Sequence, residues 1–259
     1  MAIADTPPQP DSRRQALKDA FIVRRGYWTP WLDGTLRFGP DFFEAFLAFT
    51  GTPWATGPLP PKVKEFVYIA IDGAITHLYQ RGLQMHIGEA LRHGASPEEV
   101  MEVLQMASLI GLITQTTAAP MLLEAMGRGT QEPLDAAQAL RKREFMDAVG
   151  HWDEGCEAML RLGATAFDAY AAYIRACWQT RALDPVTREL VGIAVHASTT
   201  LLHKPGIQLH MRRALALGAT QAQIMEVLQL TSVLGIHTCS VGVPLLIEAV
   251  AVIAGPETA

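Results

Sequence analysis

The stretch GIQLH at 206–210, followed by MEVLQ at 225–229, decides the fold because the chain contains it twice. Counterparts stand 124 positions earlier, as GLQMH at 82–86 and MEVLQ at 101–105. The register holds without a gap through the whole of 183–250. Two copies are too few for a solenoid, so the repeat predicts two similar helical units that pack about a pseudo-two-fold axis.

The repeat divides the 259 residues into two predicted units, residues 1–128 with a leading tail and residues 129–259. Hydrophobic residues make up 49% of the chain and charged residues 18%, which indicates a large buried core. No segment shows a sustained alternation of β-branched and polar residues. The sequence therefore predicts an all-α fold of two tandem repeats without a β-sheet.

Prolines and glycines give the expected ends of several helices. Pro61 suits the first position of a helix that should end near 79–82, and residues 51–61 should form a linker before it. The apolar helix that follows should run to about Thr117 and restart at Pro120. Its polar interruptions favour a buried core helix over a membrane span.

Charge and cysteine content exclude several classes of protein. The net charge of -5 argues against a nucleic-acid surface. The first residues show no basic region followed by an apolar run, so no signal peptide is expected. Cys156, Cys177 and Cys239 form neither an even disulfide framework nor a Cys-x-x-Cys motif. The expectation is a reduced, cytoplasmic protein with no nucleic-acid or membrane partner.

Each copy places a glutamate in the first turn of one helix and a histidine in the next. Glu65 and His86 are separated by 21 residues, and Glu189 and His210 keep the same separation. A first-turn glutamate can simply complement the helix dipole, and a histidine on an apolar face can be a core residue. The alternative is a buried Glu–His pair, which can transfer protons near neutral pH.

The second copy carries extra histidines that the first copy lacks. His196, His203 and His237 align with Asp72, Tyr79 and Ile113, and His77 of the first copy aligns with Leu201. On an unbroken helix, residues seven apart rise about 10.5 Å, so Glu189, His196 and His203 cannot all bind one metal ion from one helix. A metal site in which His203 and His210 converge, with Glu189 or His237 as a further ligand, stays open. The favoured alternative is that these histidines bind no metal.

The repeated pattern resembles the carboxymuconolactone decarboxylase family, which includes the alkylhydroperoxidase D-like proteins. It comprises ELV at 189–191, IA at 193–194, His210, GAT at 218–220 and IMEV at 224–227. The resemblance implies an all-α fold centred on a helical hairpin, with units that associate in rings. The peroxidase branch uses a Cys-x-x-Cys motif that this chain lacks, so the resemblance does not imply disulfide-based peroxide reduction.

The decarboxylase branch acts on an acidic lactone by proton transfer without a cofactor, and the resemblance carries this role to the paired Glu and His residues. Arg188, Arg212 or Arg213 could bind a substrate carboxylate, because guanidinium pairs with it bidentately. The predicted catalytic residues are Glu189, His210, His203, His196, Glu65, His86 and His77, and the predicted substrate-binding residues are Arg188, Arg212 and His237.

The resulting hypothesis is a cofactor-independent lyase or decarboxylase that acts on a small carboxylated or lactone substrate. Its alternatives are a non-catalytic ligand-binding or assembly protein of the same fold, and a metal-dependent hydrolase that uses the histidines of the second copy. The second copy should dominate any catalysis, because it offers more titratable groups. The leading loops are expected to expose the aromatic residues Tyr27, Trp28, Trp31 and Trp54. This exposure and the small size of each unit predict a homo-oligomer, with a trimer favoured.

Overall fold

The chain is almost entirely helical. A computed structural model describes residues 11–130 and 132–254, and the Pro-rich start of the chain, residues 1–10, lies outside them. The described residues form fourteen α-helices and two short 3-10 helices, with no strand among them. This confirms the predicted all-α fold.

The helices of the two repeats correspond one to one. The first repeat contains α1 (Asp11–Arg25), α2 (Pro30–Phe38), α3 (Pro40–Thr56), α4 (Pro61–Gly73), α5 (Gln80–Arg92), α6 (Pro97–Ser108), a 3-10 helix (Leu109–Leu112) and α7 (Ile113–Ala125). The second contains α8 (Ala136–Val149), α9 (Glu154–Leu162), α10 (Ala164–Gln179), α11 (Pro185–Ala197), α12 (Lys204–Ala216), α13 (Gln221–Ser232), a 3-10 helix (Val233–Ile236) and α14 (His237–Ala254).

Local sequence signals explain most helix starts. Ser96 and Glu99 form a reciprocal capping box at the start of α6, which satisfies two backbone donors that a helix leaves unpaired. Asp184 accepts the backbone N–H of Thr187 at the start of α11, where Pro185 occupies the first turn. Pro61, which the sequence places at the first position of a helix, is likewise the first residue of α4.

The helices α4 and α11 end earlier than the sequence predicts. They stop at Gly73 and Ala197, and the chain then reverses through a short turn before the next helix. Leu78 and Leu202 each adopt a left-handed φ of 47° in this turn. A non-glycine residue with this φ is strained, and such strain is often found near functional sites. The repeat therefore preserves an unusual turn at equivalent positions.

Two other predicted breaks are wrong. The expected linker at 51–61 is helical as far as Thr56, because α3 accommodates Pro53 inside it. The break expected near Thr117 and Pro120 instead falls on the 3-10 segment Leu109–Leu112, and α7 includes Pro120. Proline removes one backbone donor, so it bends a helix without always ending it when tertiary packing holds both sides.

The chain separates into two compact units that differ from the two sequence repeats. Of the described residues, unit 1 comprises 11–60 and 221–254, and unit 2 comprises 61–130 and 132–220. Within unit 2, α7 of the first repeat packs on α9 of the second, and within unit 1, α14 of the second repeat packs on α2 of the first. The last helix of each repeat therefore covers a leading helix of the other.

Unit 2 contains the helical hairpins of both repeats. The hairpin α4–α5 and the hairpin α11–α12 meet through α4 and α11. Their contact forms a core to which both repeats contribute, including Phe66, Ile69, Val103, Val191 and Val195, all buried. This is the pseudo-two-fold arrangement that the sequence predicts.

Unit 1 is organised around aromatic side chains. Phe21 packs against the rings of Tyr27 and Trp28 at centroid distances of 5.4 Å and 5.6 Å. Trp31 joins the same buried cluster, and Trp54 lies half-buried beside the guanidinium of Arg25. The expectation that these aromatics are exposed is therefore wrong, because they form the core of their own unit.

Two stretches are long and apolar enough to cross a membrane by length and composition, Pro97–Ala125 and Gln221–Ile253. The core helices of soluble proteins pass the same test, which makes it weak evidence. The first stretch is interrupted by a 3-10 segment, and Val103, Met106, Leu123 and Ala119 along it are buried. These residues belong to the core of unit 2.

Candidate functional site

The Glu–His pair of the second repeat forms a direct contact. Glu189 lies in the second turn of α11, and His210 lies in the neighbouring antiparallel helix α12. The Nδ1 atom of His210 is 2.7 Å from Oε2 of Glu189, and both side chains are buried. A carboxylate accepts the ring N–H at this distance, so the other ring nitrogen, Nε2, is left as the acceptor of a neutral imidazole.

Gly192 lets the ring of His210 approach the backbone of α11 closely. A Cβ atom at this position would lie 2.4 Å from Nδ1 of His210, far inside van der Waals contact. The ring of His210 therefore packs directly on the backbone of α11, one turn after Glu189. The first repeat has Tyr68 at the equivalent position, so the two sites differ in shape as well as in titratable groups.

Two further histidines of the second repeat surround His210. The ring of His196 lies 5.0 Å from that of His210 and 5.4 Å from that of His203, measured between centroids. The early end of α11 explains the second distance, because the backbone N–H of His203 returns to the carbonyl of His196 at 2.9 Å. His203 therefore lies beside His196. It does not lie two helical turns further along α11, as an unbroken helix would require.

Backbone contacts fix which nitrogen of each ring carries the proton. Nδ1 of His196 lies 2.9 Å from the carbonyl oxygen of Gly192 and must donate to it, which leaves Nε2 as an acceptor. Nδ1 of His203 accepts the backbone N–H of Gly206 at the start of α12, so the neutral ring carries its proton on Nε2. The cluster thus contains one imidazole that presents an N–H donor, His203, and two that present lone pairs, His196 and His210.

Burial keeps these two neighbouring histidines neutral. Loss of solvent, followed by the proximity of His210, lowers the pKa of His196 to about 4. Loss of solvent also lowers the pKa of His203, although the charge of Asp153 opposes that effect. Both rings are therefore neutral at physiological pH, which fits hydrogen-bonding roles better than a role as strong bases.

The three histidines line a cavity of about 140 Å³ in unit 2. Its remaining wall is largely apolar and aromatic, and includes Leu109, Ile113, Phe145, Tyr170, Ile174 and Trp178. A mainly apolar cavity with a few convergent polar groups is the usual form of a small-molecule site. The arrangement can bind an organic molecule and exchange protons with it.

Several residues of this cavity were missed by the sequence analysis. They are His151, Asp153, Cys156, Tyr170 and Trp178. Asp153 caps α9 by accepting the N–H of Cys156, and His151 lies 3.3 Å from its other oxygen. A cap signature before an apolar helix could have placed Asp153 at a helix start, but no local signal indicates that this start faces His203.

The thiol of Cys156 and the carboxyl of Asp153 differ in charge. Burial raises the pKa of Cys156 to about 12, so the thiol is protonated and inert as a nucleophile. Burial acts in the same direction on Asp153, but hydrogen bonds from His151 and from the N–H of Cys156 outweigh it and lower its pKa to about 2. Asp153 is therefore a fixed negative charge at the cavity.

The first repeat forms the equivalent pair in a different setting. Nδ1 of His86 lies 2.6 Å from Oε2 of Glu65, and both are buried. The ring of Tyr68 stacks on His86 with centroids 4.4 Å apart and covers one face of it. Burial, then the charge of Glu65, raises the pKa of Asp72 to about 8, and this carboxyl lies 4.0 Å from Nε2 of His86.

The other predicted residues lie elsewhere. His77 is half-buried in the turn before α5, where burial lowers its pKa. Arg188 forms a buried ion pair with Glu102 and donates to the carbonyl of Trp178 at 3.1 Å. Arg212 is exposed on α12, and His237 begins α14 in unit 1. The cavity wall contains none of these four, whereas it does contain Arg213.

The geometry argues against the metal alternative at the clustered histidines. Within described residues 61–130 and 132–220, no three His, Cys, Asp or Glu side chains bring ligand atoms within 4.8 Å of one another. A zinc or iron site needs several lone pairs that converge at about 2 Å from one point.

The architecture defines a class of all-α proteins built from two tandem helical-hairpin repeats. The model of the carboxymuconolactone decarboxylase family matches the chain at residues 40–125 and 164–253, once in each repeat. The chain belongs to this family. No curated protein matches it at a significant level.

A solved structure supports the same assignment. It is a crystal structure from Burkholderia xenovorans LB400, assigned provisionally as a gamma-carboxymuconolactone decarboxylase subunit. The two sequences are 38% identical, the match covers 94% of this chain and 98% of that one, and the TM-score is 0.86. The tandem arrangement is therefore shared with a protein of closely similar length and fold.

Proposed function

We propose that the chain is a cofactor-independent lyase of the decarboxylase type, which acts on a small carboxylated or lactone substrate in the cavity of unit 2. The observation that carries the proposal is the buried Glu189–His210 pair, with its imidazole on the wall of an organic-sized cavity. Family membership and the decarboxylase-like neighbour support the reaction class.

Proton transfer is the chemistry that this pair can perform. In a decarboxylation, the electrons of the broken carbon–carbon bond stay on the substrate as CO₂ leaves, and a proton must then reach that carbon. His210 can take and return a proton at Nε2, while Glu189 holds the ring and stabilises its charged form. The N–H of His203 can donate to a substrate oxygen on which negative charge develops.

A cavity at His210 also favours catalysis over a purely structural role. In a non-catalytic protein of this fold, both Glu–His pairs could be closed inside the core without an adjoining space. His210 instead shares the cavity wall with His196 and His203. A buried titratable pair that faces a cavity is a typical arrangement of an active site.

The proposal is tested by incubating the full chain with carboxylated lactones of increasing size and following CO₂ release and product mass. We expect turnover of at least one lactone acid without added metal or cofactor, and its loss by about 10²-fold or more in His210→Gln. Folding of the variant is checked by circular dichroism. If the wild-type protein binds such lactones but never converts them, the ligand-binding alternative replaces the enzyme.

We also propose that the protein is a homo-oligomer, with a trimer favoured, in a reducing compartment such as the cytoplasm. The neighbour from Burkholderia xenovorans is described as a subunit. On α14, the apolar side chains of Val241, Leu245 and Val252 are 56%, 59% and 82% exposed, as in a surface that associates with another chain. Sedimentation at micromolar concentration tests this, since a species of 28.2 kDa would be a monomer.

A further inference from the structure

The wall of the cavity in unit 2 has a composition that limits what it can bind. Apart from the imidazoles, most of the lining is aliphatic or aromatic. The space of about 140 Å³ is close to the cavity of about 150 Å³ that holds one benzene molecule in an engineered protein. The volume and the wall therefore suit one ring-sized apolar group.

The permanent charges of the cavity wall are few. Arg213 supplies one positive charge and Asp153 supplies one negative charge, and the other titratable lining groups are His151, His196, His203, His210, Cys156 and Tyr170. His151 is paired with Asp153 at 3.3 Å. His196 and His203 are neutral, so they can donate or accept hydrogen bonds but add no second positive charge. Arg213 is therefore the one permanent positive charge of the wall, and Asp153 the one permanent negative charge.

Arg213 is positioned to hold an anion beside an aromatic wall. Its Nη2 atom donates to the carbonyl oxygen of Val149, which ties the end of α8 to α12. Its guanidinium lies 6.0 Å from the centroid of Trp178, at the outer limit of a cation–π contact. A guanidinium carries five N–H donors, and the carbonyl takes only one, so several remain for a carboxylate.

We propose that the site selects ligands with one carboxylate on a ring-sized apolar body, anchored by Arg213, and rejects ligands with two. A second carboxylate would lie either against the apolar wall or near Asp153. Burying an ion without a partner is costly, and like charges repel. The selectivity for one carboxylate therefore arises as much from the absence of a second cation as from the presence of Arg213.

This inference deepens the proposed function, because it names the substrate class of the same cavity. It also separates this chain from the acidic lactone that the family resemblance implies, since that ligand class can carry more than one carboxylate. The apolar groups of the wall then contribute most of the affinity, and Arg213 contributes the orientation.

The test uses calorimetry on the full-length protein with two ligands of equal size. Benzene-1,4-diacetate carries two carboxylates, and its monoamide, 4-(carbamoylmethyl)phenylacetate, carries one. We expect the monoamide to bind at least 10-fold more tightly. Phenylacetate and phenylacetamide, a second pair, measure the contribution of the single carboxylate. Equal or tighter binding of the dicarboxylate would overturn the proposal, as would no binding of any of the four at millimolar concentration.

Substitution of the anchor provides the second measurement. In Arg213→Gln, we expect phenylacetate to bind 10- to 100-fold more weakly and phenylacetamide to change less than threefold. Arg81→Gln is the control, because Arg81 is an exposed arginine on α5, the equivalent helix of the first repeat. Unchanged binding of phenylacetate to Arg213→Gln would show that the anchor is elsewhere.

These arylacetates are chosen as binding probes and not as substrates, so the two proposals fail separately. If the monocarboxylate preference is found but no lactone acid is ever converted, the ligand class stands and the lyase function falls. If a dicarboxylate is preferred and His210→Gln still abolishes its conversion, the lyase function stands and the ligand class falls.

Discussion

The hydroxyl oxygens of Thr76 and Thr200 lie 3.0 Å apart. These residues are 124 positions apart, so each threonine contacts its own counterpart in the other repeat. Such a contact requires both residues to lie beside the axis that relates the repeats. The pseudo-two-fold axis of unit 2 therefore passes between the turns that follow α4 and α11. The turns themselves carry the repeated left-handed leucines, Leu78 and Leu202.

Glycine allows the close crossing of α7 and α9 in unit 2. A Cβ atom at Gly155 would lie 2.4 Å from the backbone oxygen of Thr116, which cannot rotate away. We expect Gly155→Ala to lower the free energy of unfolding by about 1–3 kcal/mol, as overpacking usually does. Urea denaturation followed by circular dichroism gives the value.

A matched glycine in unit 1 is the comparison for this effect. At Gly34, the atom nearest to an added Cβ is the terminal Cγ1 of Val243, at 2.4 Å, and a side-chain methyl can move more easily than backbone. Gly34→Ala should therefore be the milder change of the two. Gly88→Ala in α5 is the control without a clash, because its nearest atom is the end of Arg92 at 3.8 Å, and it should raise stability by about 0.5–1 kcal/mol. A larger loss in Gly34→Ala than in Gly155→Ala would contradict this account.

Asp72 should make stability depend on pH. Its pKa is about 8 in the folded protein and 3.8 in the reference state, so between these values the folded state binds more protons than the unfolded state. This contribution is fully present below pH 3.8 and is lost as pH rises toward 8. Wild-type stability should fall by up to a few kcal/mol over that range relative to Asp72→Asn.

The pH experiment compares urea denaturation of the wild type and Asp72→Asn at pH 4.5 and pH 7.5. Only the difference between the two proteins is interpreted, because other groups also titrate in this interval. His196, for example, has a lowered pKa and makes the opposite contribution, with stability lost as pH falls toward 4. Parallel pH profiles for the two proteins would show that Asp72 ionises normally in the fold.

The sequence predicted the repeated architecture well because the determining signals are local and occur twice. Pro61 and Pro185 begin equivalent helices, and the caps at Ser96 and Asp184 are visible as short motifs. The ends of α4 and α11 were not predictable in the same way. They depend on a turn in which a leucine adopts a left-handed φ. The presence of a leucine in the sequence does not predict this conformation.

The candidate site was predicted only in part. The Glu189–His210 pair follows from its repeated spacing, and the structure brings its two side chains together. Arg188, Arg212 and Arg213 were equally plausible anion-binding residues by sequence. Arg188 forms a buried ion pair, Arg212 is exposed, and Arg213 alone of the three lines the cavity. The choice among neighbouring arginines depends on which side of α12 faces α8 and α9, and this is tertiary information.

The two carboxylates of the Glu–His pairs should differ in their importance for catalysis. We expect Glu189→Gln to lower turnover by about 10²-fold or more, the scale of losing a general acid–base group. Glu65→Gln should have a much smaller effect, because Tyr68 covers one face of His86 whereas His210 lines the cavity. Steady-state kinetics on both variants tests this, after circular dichroism confirms that each is folded. Equal losses would mean that the repeats contribute equivalently.

Gly192 should be important for turnover, because it determines where the ring of His210 lies. Its Cα carries no side chain, and an added Cβ would lie 2.4 Å from Nδ1 of His210, the atom that binds Glu189. We expect Gly192→Ala to displace the ring and to reduce turnover by about 10²-fold, since small misplacements of a catalytic group have effects of this size. The protein should remain folded, because adaptation of a well-packed core to one methyl group costs about 1–3 kcal/mol.

The control for Gly192→Ala is Gly242→Ala in α14, where an added Cβ meets no atom within 4 Å. This change should leave turnover unaltered and, by favouring the helix, raise stability by about 0.5–1 kcal/mol. The decisive measurement is the shift of the His210 ring protons by NMR in each variant, together with the rate. Ring signals and a rate equal to those of the wild type in Gly192→Ala would show that His210 does not need its close contact with α11. Gly192 would then have no role in maintaining the proposed acid–base pair.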